Sequence, residues 1–330
     1  MKKYHVYGIG NALVDMEIEV TPDFLLKANV EKGVMTLVDQ KRQDDLLAQI
    51  DGHQHQRSCG GSAANTVIAV SQFGGRSFYS CKVANDEPGD FYFNDLVNSG
   101  VATNLHGKRE NGITGKCMVF ITPDADRTMN SFLGITESFS ENELEIEDLK
   151  DSEWLYIEGY LVTSATGRAA ALKAKNIAEE NNVKTAITLS DPAMAKFFKE
   201  GLQEMVGKGV DLLFCNDEEA LSFTDQEKLE DAFNDLKKVA KSFVITQGPK
   251  GALLYDGEKE IDILTTKVDA VDTNGAGDLF AGAFLYAITH GHSFAEAGKL
   301  ACASSGSLVQ RFGARLPAEL PKKIYDETLA

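Results

Sequence analysis

Cysteine is scarce in this sequence, with 5 among 330 residues. Cys59, Cys81, Cys117, Cys215 and Cys302 are odd in number, scattered and never spaced as CxxC. That pattern excludes a disulfide framework and a cysteine zinc site, and reads as reduced thiols in a cytoplasmic protein. Positive charge is also in short supply: 33 Lys and Arg stand against 50 Asp and Glu, a formal net charge of −17. A chain of that sign repels polyanions, which argues against nucleic acid and anionic membrane surfaces as partners. Long apolar runs are missing; Leu279 to Ile288 stops far short of the ~18 residues a membrane helix needs. The opening MKKYHVYGIGNALVD has no apolar stretch of the signal-peptide kind before Gly8 and Gly10. GxxxxGKS/T, HExxH and GxSxG are absent, and GIGNAL departs from a dinucleotide fingerprint at Leu13. His53, His55, His290 and His292 sit in polar segments and read as solvated, whereas the single Trp154 reads as core.

What is present is an ordinary globular composition, 43% hydrophobic and 25% charged. Short β-branched or aromatic runs alternate with longer helical patterns, the signature of βαβ units around a largely parallel sheet. Strands are expected at Tyr4 to Ile9, Lys116 to Thr122, Glu153 to Glu158, Thr185 to Leu189, Asp211 to Cys215, Ser242 to Thr246 and Ala252 to Tyr255. Helices are expected at Ala63 to Phe73, Gly167 to Asn181, Glu227 to Ala240, Gly275 to Ile288 and Ala295 to Gln310. No repeat or linker interrupts the chain, so 1–330 reads as one α/β domain. Two stretches, Met16 to Asp39 and Asn111 to Gly134, carry short alternating segments that look antiparallel. They read as a small sheet covering a site and excluding water from it.

Four motifs carry chemistry. In VDTNGAGDLFAGAFL, Gly275, Ala276 and Gly277 stand at the start of an apolar helix, where free N–H groups and the helix dipole favour an anion. Asp278 lies in the first turn beside that anion site. A base next to an anion hole is what phosphoryl transfer to an alcohol requires, although the same residues could simply cap a helix. In GGSAANTVIAVSQFGG, Gly60 and Gly61 permit close approach of a ligand, and Asn65 offers a polyol both donor and acceptor groups. TQGPKG sets Thr246, Gly248 and Gly251 at a strand's carboxyl end, where ligands bind in open α/β sheets. NDEE sets Asn216 and Glu219 after another strand; they could order hydrated Mg²⁺ and phosphate, or form a helix cap beside solvated acids.

In order and spacing, these motifs resemble the ribokinase-like, or PfkB, family of carbohydrate and nucleoside kinases over nearly the whole chain. DTNGAGD, Asp272 to Asp278, is similar to the family's C-terminal signature, and Gly60, Gly61 and Asn65 to its N-terminal one. The resemblance implies a three-layer α/β/α fold with a central, mostly parallel sheet and a β-sheet lid, here about 12–39 and 111–134. It implies that Asp278 is the catalytic base and that Gly275, Ala276 and Gly277 form the anion hole. It also implies that Thr246, Gly248 and Gly251 approach ATP, and that Asn216 and Glu219 act on phosphate and, through water, on Mg²⁺. Asp15 in GNALVD, with Asn11, Gly60, Gly61 and Asn65, would hold the acceptor. Arg127 resembles the lid arginine of the adenosine kinase branch, or else is an exposed turn charge. K⁺ near Asp272 and the region Gln310 to Arg315 is a further implication.

The expected activity is ATP-dependent phosphorylation of a hydroxymethyl group, with adenosine ahead of a fructokinase, ribokinase or ketodeoxygluconate kinase acceptor. A non-catalytic nucleoside- or sugar-binding protein is the rival of a different class; it would have no need of Asp278. Met35, Met118, Phe120 and Phe132 read either as an apolar slot for a base or as the lid's own core. The expected partners are small molecules only, and the expected state is a monomer or homodimer.

Overall fold

The computed structural model describes residues 2–50, 54–124 and 126–329. Its strands are β1 (Tyr4–Ile9), β2 (Leu13–Glu19), β3 (Met35–Leu37), β4 (Gln54–Gly60), β5 (Ser77–Ser80), β6 (Val101–Thr103), β7 (Thr114–Ile121), β8 (Arg127–Gly134), β9 (Ser152–Ile157), β10 (Lys184–Thr188), β11 (Val210–Asn216), β12 (Ala240–Thr246), β13 (Ala252–Tyr255) and β14 (Glu260–Ile263). Nine of them form one sheet in the order β14-β13-β12-β11-β10-β9-β1-β5-β6. It is parallel from β6 through β12; β13 alone runs the other way, pairing antiparallel with both β12 and β14. β1, YHVYGI, is buried at every position, the continuous burial expected of a strand covered on both faces.

Helices cover the two faces of this sheet, giving three layers. One face carries Ser62–Gln72, Ala276–Thr289 and Phe294–Leu308, packed with Val6, Tyr156, Phe214 and Val244. The other carries Ala165–Glu180, Lys199–Val206 and Leu229–Leu236, packed with Tyr7, Ile157, Leu213 and Phe243. Phe284, fully buried, meets Phe214 edge to face at 5.7 Å and so fixes the helix Ala276–Thr289 against β11. Truncating such a ring to alanine costs about 3–5 kcal/mol, so the position of that helix over the sheet is well determined. Trp154 is core, 6% exposed.

Five strands form a second sheet in the order β3-β8-β7-β2-β4. Its pairing is mixed and not antiparallel as the sequence pattern suggests: β2 with β7 and β3 with β8 are parallel, β7 with β8 and β2 with β4 antiparallel. Each parallel pair joins strands separated in the chain by several other elements, so no hairpin turn dictates their relative direction. β4 lies outside both stretches expected to make the lid; its polar QHQR gives no strand signal. His53 lies outside the described residues. His292 is not free in solvent, since its Nε2 bonds the Tyr325 hydroxyl at 2.9 Å.

Strand alternation decides which lid residues see the interior. Met118 and Phe120 face outward and pack with Ile18, Leu25 and Leu46 beneath the two lid helices, so they are lid core and not a ligand slot. Phe132 does not reach the cavity either. The inner face presents Leu13, Cys117, Val119, Ile121 and Met129, which close on Phe312 of the C-terminal segment.

Candidate active site

A cavity of about 750 Å³ opens beneath the lid at the carboxyl ends of the parallel strands. Asn11 follows β1, Glu158 follows β9, Ser190 follows β10, and Asn216 and Thr246 end β11 and β12; all five line it. This crevice is where an open α/β sheet binds ligands, because successive strand ends and helix starts converge there. Gly61, Gly248, Gly251, Gly275 and Gly277 line it too, together with Asp15, Asn65, Arg127, Glu219 and Asp278, whereas Gly60 does not.

At the centre of the cavity floor lies the start of the helix Ala276–Thr289. Gly275 caps it with φ +69°, and a Cβ there would press on Ala314 at 2.6 Å, so only glycine fits. The Leu279 N–H returns to Gly275 O at 2.8 Å and the Ala276 N–H to Thr273 O at 3.3 Å. The N–H groups of Gly277 and Asp278 find no acceptor among the described residues and remain for an anion. Gly277 itself borders open space.

The Asp278 carboxylate is held by two donors from the helix Ser62–Gln72. Ser62 Oγ donates to Oδ1 at 2.7 Å, and Asn65 Nδ2 donates to Oδ2 at 3.1 Å. Burial pushes the Asp278 carboxyl up, while Ser62, Asn65 and the Arg127 guanidinium pull it back. The balance suits a group that must stay ionised until it takes a proton. Nothing in the sequence singles out Ser62, because a serine beside a glycine pair reads as an ordinary cap.

The acceptor end is built on β2. The Asp15 side chain turns inward, 6% exposed, and lies so close to Gly60 that a Cβ there would stand 2.0 Å from the carboxyl carbon. Asp15 receives no hydrogen bond among the described residues. Burial first, then Glu17, push its carboxyl up to about 8, with Arg315 opposing. Nearby, Glu158 accepts from the Asn11 N–H at 3.1 Å and the Ala63 N–H at 2.8 Å, tying the end of β1 to the start of the helix Ser62–Gln72. Burial raises Glu158 to about 7. In the sequence Glu158 is only the end of a strand. Arg315 likewise gives no sign there of its contacts beside Gly60: it bonds Asp95 at 2.9 Å and the Cys59 carbonyl, and Asp95 accepts from the Cys59 N–H at 2.7 Å.

The other end of the cavity holds Asn216, Glu219, Thr246, Gly248 and Gly251. Asn216 and Glu219 form a reciprocal cap: the Glu219 N–H donates to Asn216 Oδ1 at 2.8 Å, and Asn216 N and Nδ2 donate to the Glu219 carboxylate at 3.0 and 2.8 Å. Capping and cavity-lining are thus the same residues. Burial raises Glu219 to about 8. Thr265 to Val268, Cys302, Ser305, Gly306 and Val309 complete this end, and no motif announces them. Arg127 projects from the lid, its Nη1 donating to Asn274 Oδ1 at 3.3 Å. Asp272, fully buried, accepts from the Asn274 N–H at 2.8 Å and the Gly313 N–H at 2.9 Å, which makes it a clamp between the anion-hole loop and the C-terminal segment.

Three raised carboxyls that line the cavity, Asp15, Glu158 and Glu219, and a fourth outside its lining, Glu17, set a pH dependence of stability. A folded state that holds a proton more tightly than the unfolded chain loses that advantage as pH climbs from ~4 through the raised value. For Glu17 and Glu158 that value is about 7, and for Asp15 and Glu219 about 8. Calorimetric Tm of the ligand-free protein should therefore fall by several degrees between pH 6 and pH 9; a flat or rising Tm would contradict the assignment of buried acids.

A helix start with free N–H groups, a half-buried carboxylate beside it and a β-sheet lid over the strand ends are the arrangement expected of a small-molecule kinase that transfers a phosphoryl group to an alcohol. The chain belongs to the pfkB family of carbohydrate kinases, whose family model matches residues 35–321. It is 26% identical to adenosine kinase of Saccharomyces cerevisiae, covering 94% of this chain and 96% of that protein. Among solved structures it superposes on a probable sugar kinase protein from Rhizobium etli with TM-score 0.93 at 30% identity, covering 99% of each chain. Adenosine kinase from Sinorhizobium meliloti gives TM-score 0.92 at 31% identity, covering 98% of this chain and 99% of that one. No helix among the described residues is long and apolar enough to cross a membrane.

Proposed function

We propose that the protein phosphorylates the hydroxymethyl group of a nucleoside, adenosine above others, with ATP as donor. The observation that carries the acceptor chemistry is Asp15: a buried carboxylate at the cavity wall with no protein donor among the described residues, facing space that vicinal hydroxyls would fill. Leu13, Met35, Leu37, Cys117, Met129 and Leu133 line the same end and offer an apolar bed for a base.

In this reading Asp15 and Asn65 hold the acceptor hydroxyls. The hydroxymethyl oxygen attacks the γ-phosphorus of ATP in line as the bond to the leaving ADP oxygen breaks. Asp278 takes the hydroxyl proton late in that loose transfer, and the N–H groups of Gly277 and Asp278, with Arg127, receive the charge. Asn216, Thr246, Gly248 and Gly251 bed the nucleotide. Both oxygens of Glu219 are engaged by Asn216, and no cluster of three or more His, Cys, Asp or Glu among the described residues could hold a metal directly. The donor set thus fits Mg²⁺ carried on the nucleotide and met by Glu219 through water. When bound, Mg²⁺ neutralises phosphate charge. A monovalent cation would lie beside the Asp272 clamp, with Asp272 acting through its two N–H bonds.

A sugar is the second reading, favoured by the Asp15 end itself, which serves any pair of hydroxyls, and by the likeness to a probable sugar kinase. An ADP-release assay with adenosine, inosine, ribose, fructose and ketodeoxygluconate separates the two. Adenosine should give the highest kcat/KM by about tenfold or more, since the apolar bed contributes only with a base present. Equal or higher turnover of a sugar would move the assignment to that sugar.

A further inference from the structure

We propose that Glu17 is a positioning residue that aims Arg127 at the anion hole by fixing the orientation of the Asn274 side chain, an inference that rests on the kinase reading above. Glu17 lies two residues beyond Asp15 on the inner face of β2 and is 1% exposed. In the sequence it is merely the first acid of MEIEV. Its carboxyl lies at the joint between lid and base, where burial first and then Asp272 push it up to about 7, and the Ala314 N–H, Arg315 and the Asn274 side chain favour the ionised form. The Asn274 Nδ2 and the Glu17 Oε2 are both buried, and each stops short of a completed hydrogen bond. At the far end of the same amide, Asn274 Oδ1 accepts from Arg127 Nη1 at 3.3 Å.

An asparagine amide has a donor end and an acceptor end, and the two differ only by a rotation. A carboxylate beside it attracts the NH₂ end and repels the oxygen; a guanidinium does the reverse. Placed between Glu17, ionised above about pH 7, and Arg127, Asn274 has one favourable orientation, the one that leaves Oδ1 for Arg127. Asn274 directly precedes Gly275, so a guanidinium held by its oxygen is held at the edge of the anion hole. A neutral amide in place of Glu17 accepts either end. Asn274 is then free to turn its NH₂ toward Arg127, which displaces the guanidinium by repulsion between donors. The other charged groups facing Glu17 are Asp15 on its own strand, Asp272 from the anion-hole loop and Arg315 from the C-terminal segment. None of these offers Arg127 an alternative acceptor at hydrogen-bond distance.

A double-mutant cycle on the full chain tests this: wild type, Glu17→Gln, Arg127→Ala and the double variant, with kcat and acceptor KM measured on the acceptor the wild type uses. Glu17→Gln should lower kcat about tenfold with acceptor KM unchanged within about twofold, and in the Arg127→Ala background it should cost nothing further. Should Glu17→Gln not fold, Glu17→Met, which keeps the length and removes both polar ends, is read in the same cycle. Wild-type kcat in the Glu17 variant, or the same loss with and without Arg127, overturns the inference. A wild type that turns over none of the acceptors fails differently, by removing the kinase reading on which the inference stands.

Discussion

Replacing Asp278 with asparagine should lower kcat by about a thousandfold or more and leave acceptor and nucleotide binding within a few-fold of wild type. The expectation follows from what the substitution keeps. The amide would retain the shape and volume of the carboxylate, could still accept from Asn65 Nδ2, and could donate to Ser62 Oγ after that hydroxyl rotates. The first turn and its free N–H groups would stand where they are, so the anion hole would survive. Only the capacity to take a proton disappears, and with it a contribution of about a hundredfold to ten-thousandfold. Steady-state ADP release, paired with calorimetric titration of acceptor and nucleotide, checks both halves. A variant that keeps a tenth of wild-type turnover would remove Asp278 from the role of base.

The second large effect is expected at Asp15, and it falls on binding. Asp15→Asn should raise the acceptor KM by about a hundredfold, because two hydroxyl donors lose a charged acceptor at about 1.5–3 kcal/mol each and the new amide can accept through one oxygen only. The empty site has its carboxyl pushed up to about 8 by burial. Hydroxyl donors favour the ionised form, so an acceptor binding near pH 7 should expel a proton. Titration calorimetry in two buffers of different ionisation enthalpy measures that proton directly. The wild type should release a substantial fraction of one proton per acceptor and Asp15→Asn should release none from this position; equal release by both would detach Asp15 from the hydroxyls.

Five strands of the parallel sheet, β1 and β9 to β12, were legible because burial on both faces forces unbroken apolar runs, as in YHVYGI and DLLFC, whereas the short β5 and β6 were not expected; DTNGAGD was legible because it concentrates helix-start chemistry in seven residues. Other elements left no such mark. β4 is polar along QHQR and is a strand only because β2 lies beside it to be paired. The mixed pairing of the lid depends on which distant segments come side by side, β2 with β7 and β3 with β8, which alternation cannot encode. Glu17 and Glu158 carry no mark of burial in the sequence, since nothing local says that a distant loop will bury them. Met118 and Phe120 differ from Cys117 and Met129 only in which face they occupy, and that parity is set by register with β2 and β8. The cavity's far end, from Thr265 to Val268 and from Cys302 to Val309, binds by shape and backbone, which favours no distinctive residue type.

The Asp272 clamp and the contact of Gly275 with Ala314 also set an order of events during synthesis. The strands of the main sheet are complete at Ile263 and the helices that cover its faces at Leu308, so most of the α/β core can assemble before the last segment is made. The anion hole cannot, because the partners that hold its loop, Gly313 and Ala314, are still to be translated. Catalytic competence therefore arrives about fifty residues after the sheet, at the elongation rate of ~5–20 residues per second. A nascent chain stalled short of residue 313 would be folded in its sheet and silent as a kinase, which keeps a half-made polypeptide from consuming ATP.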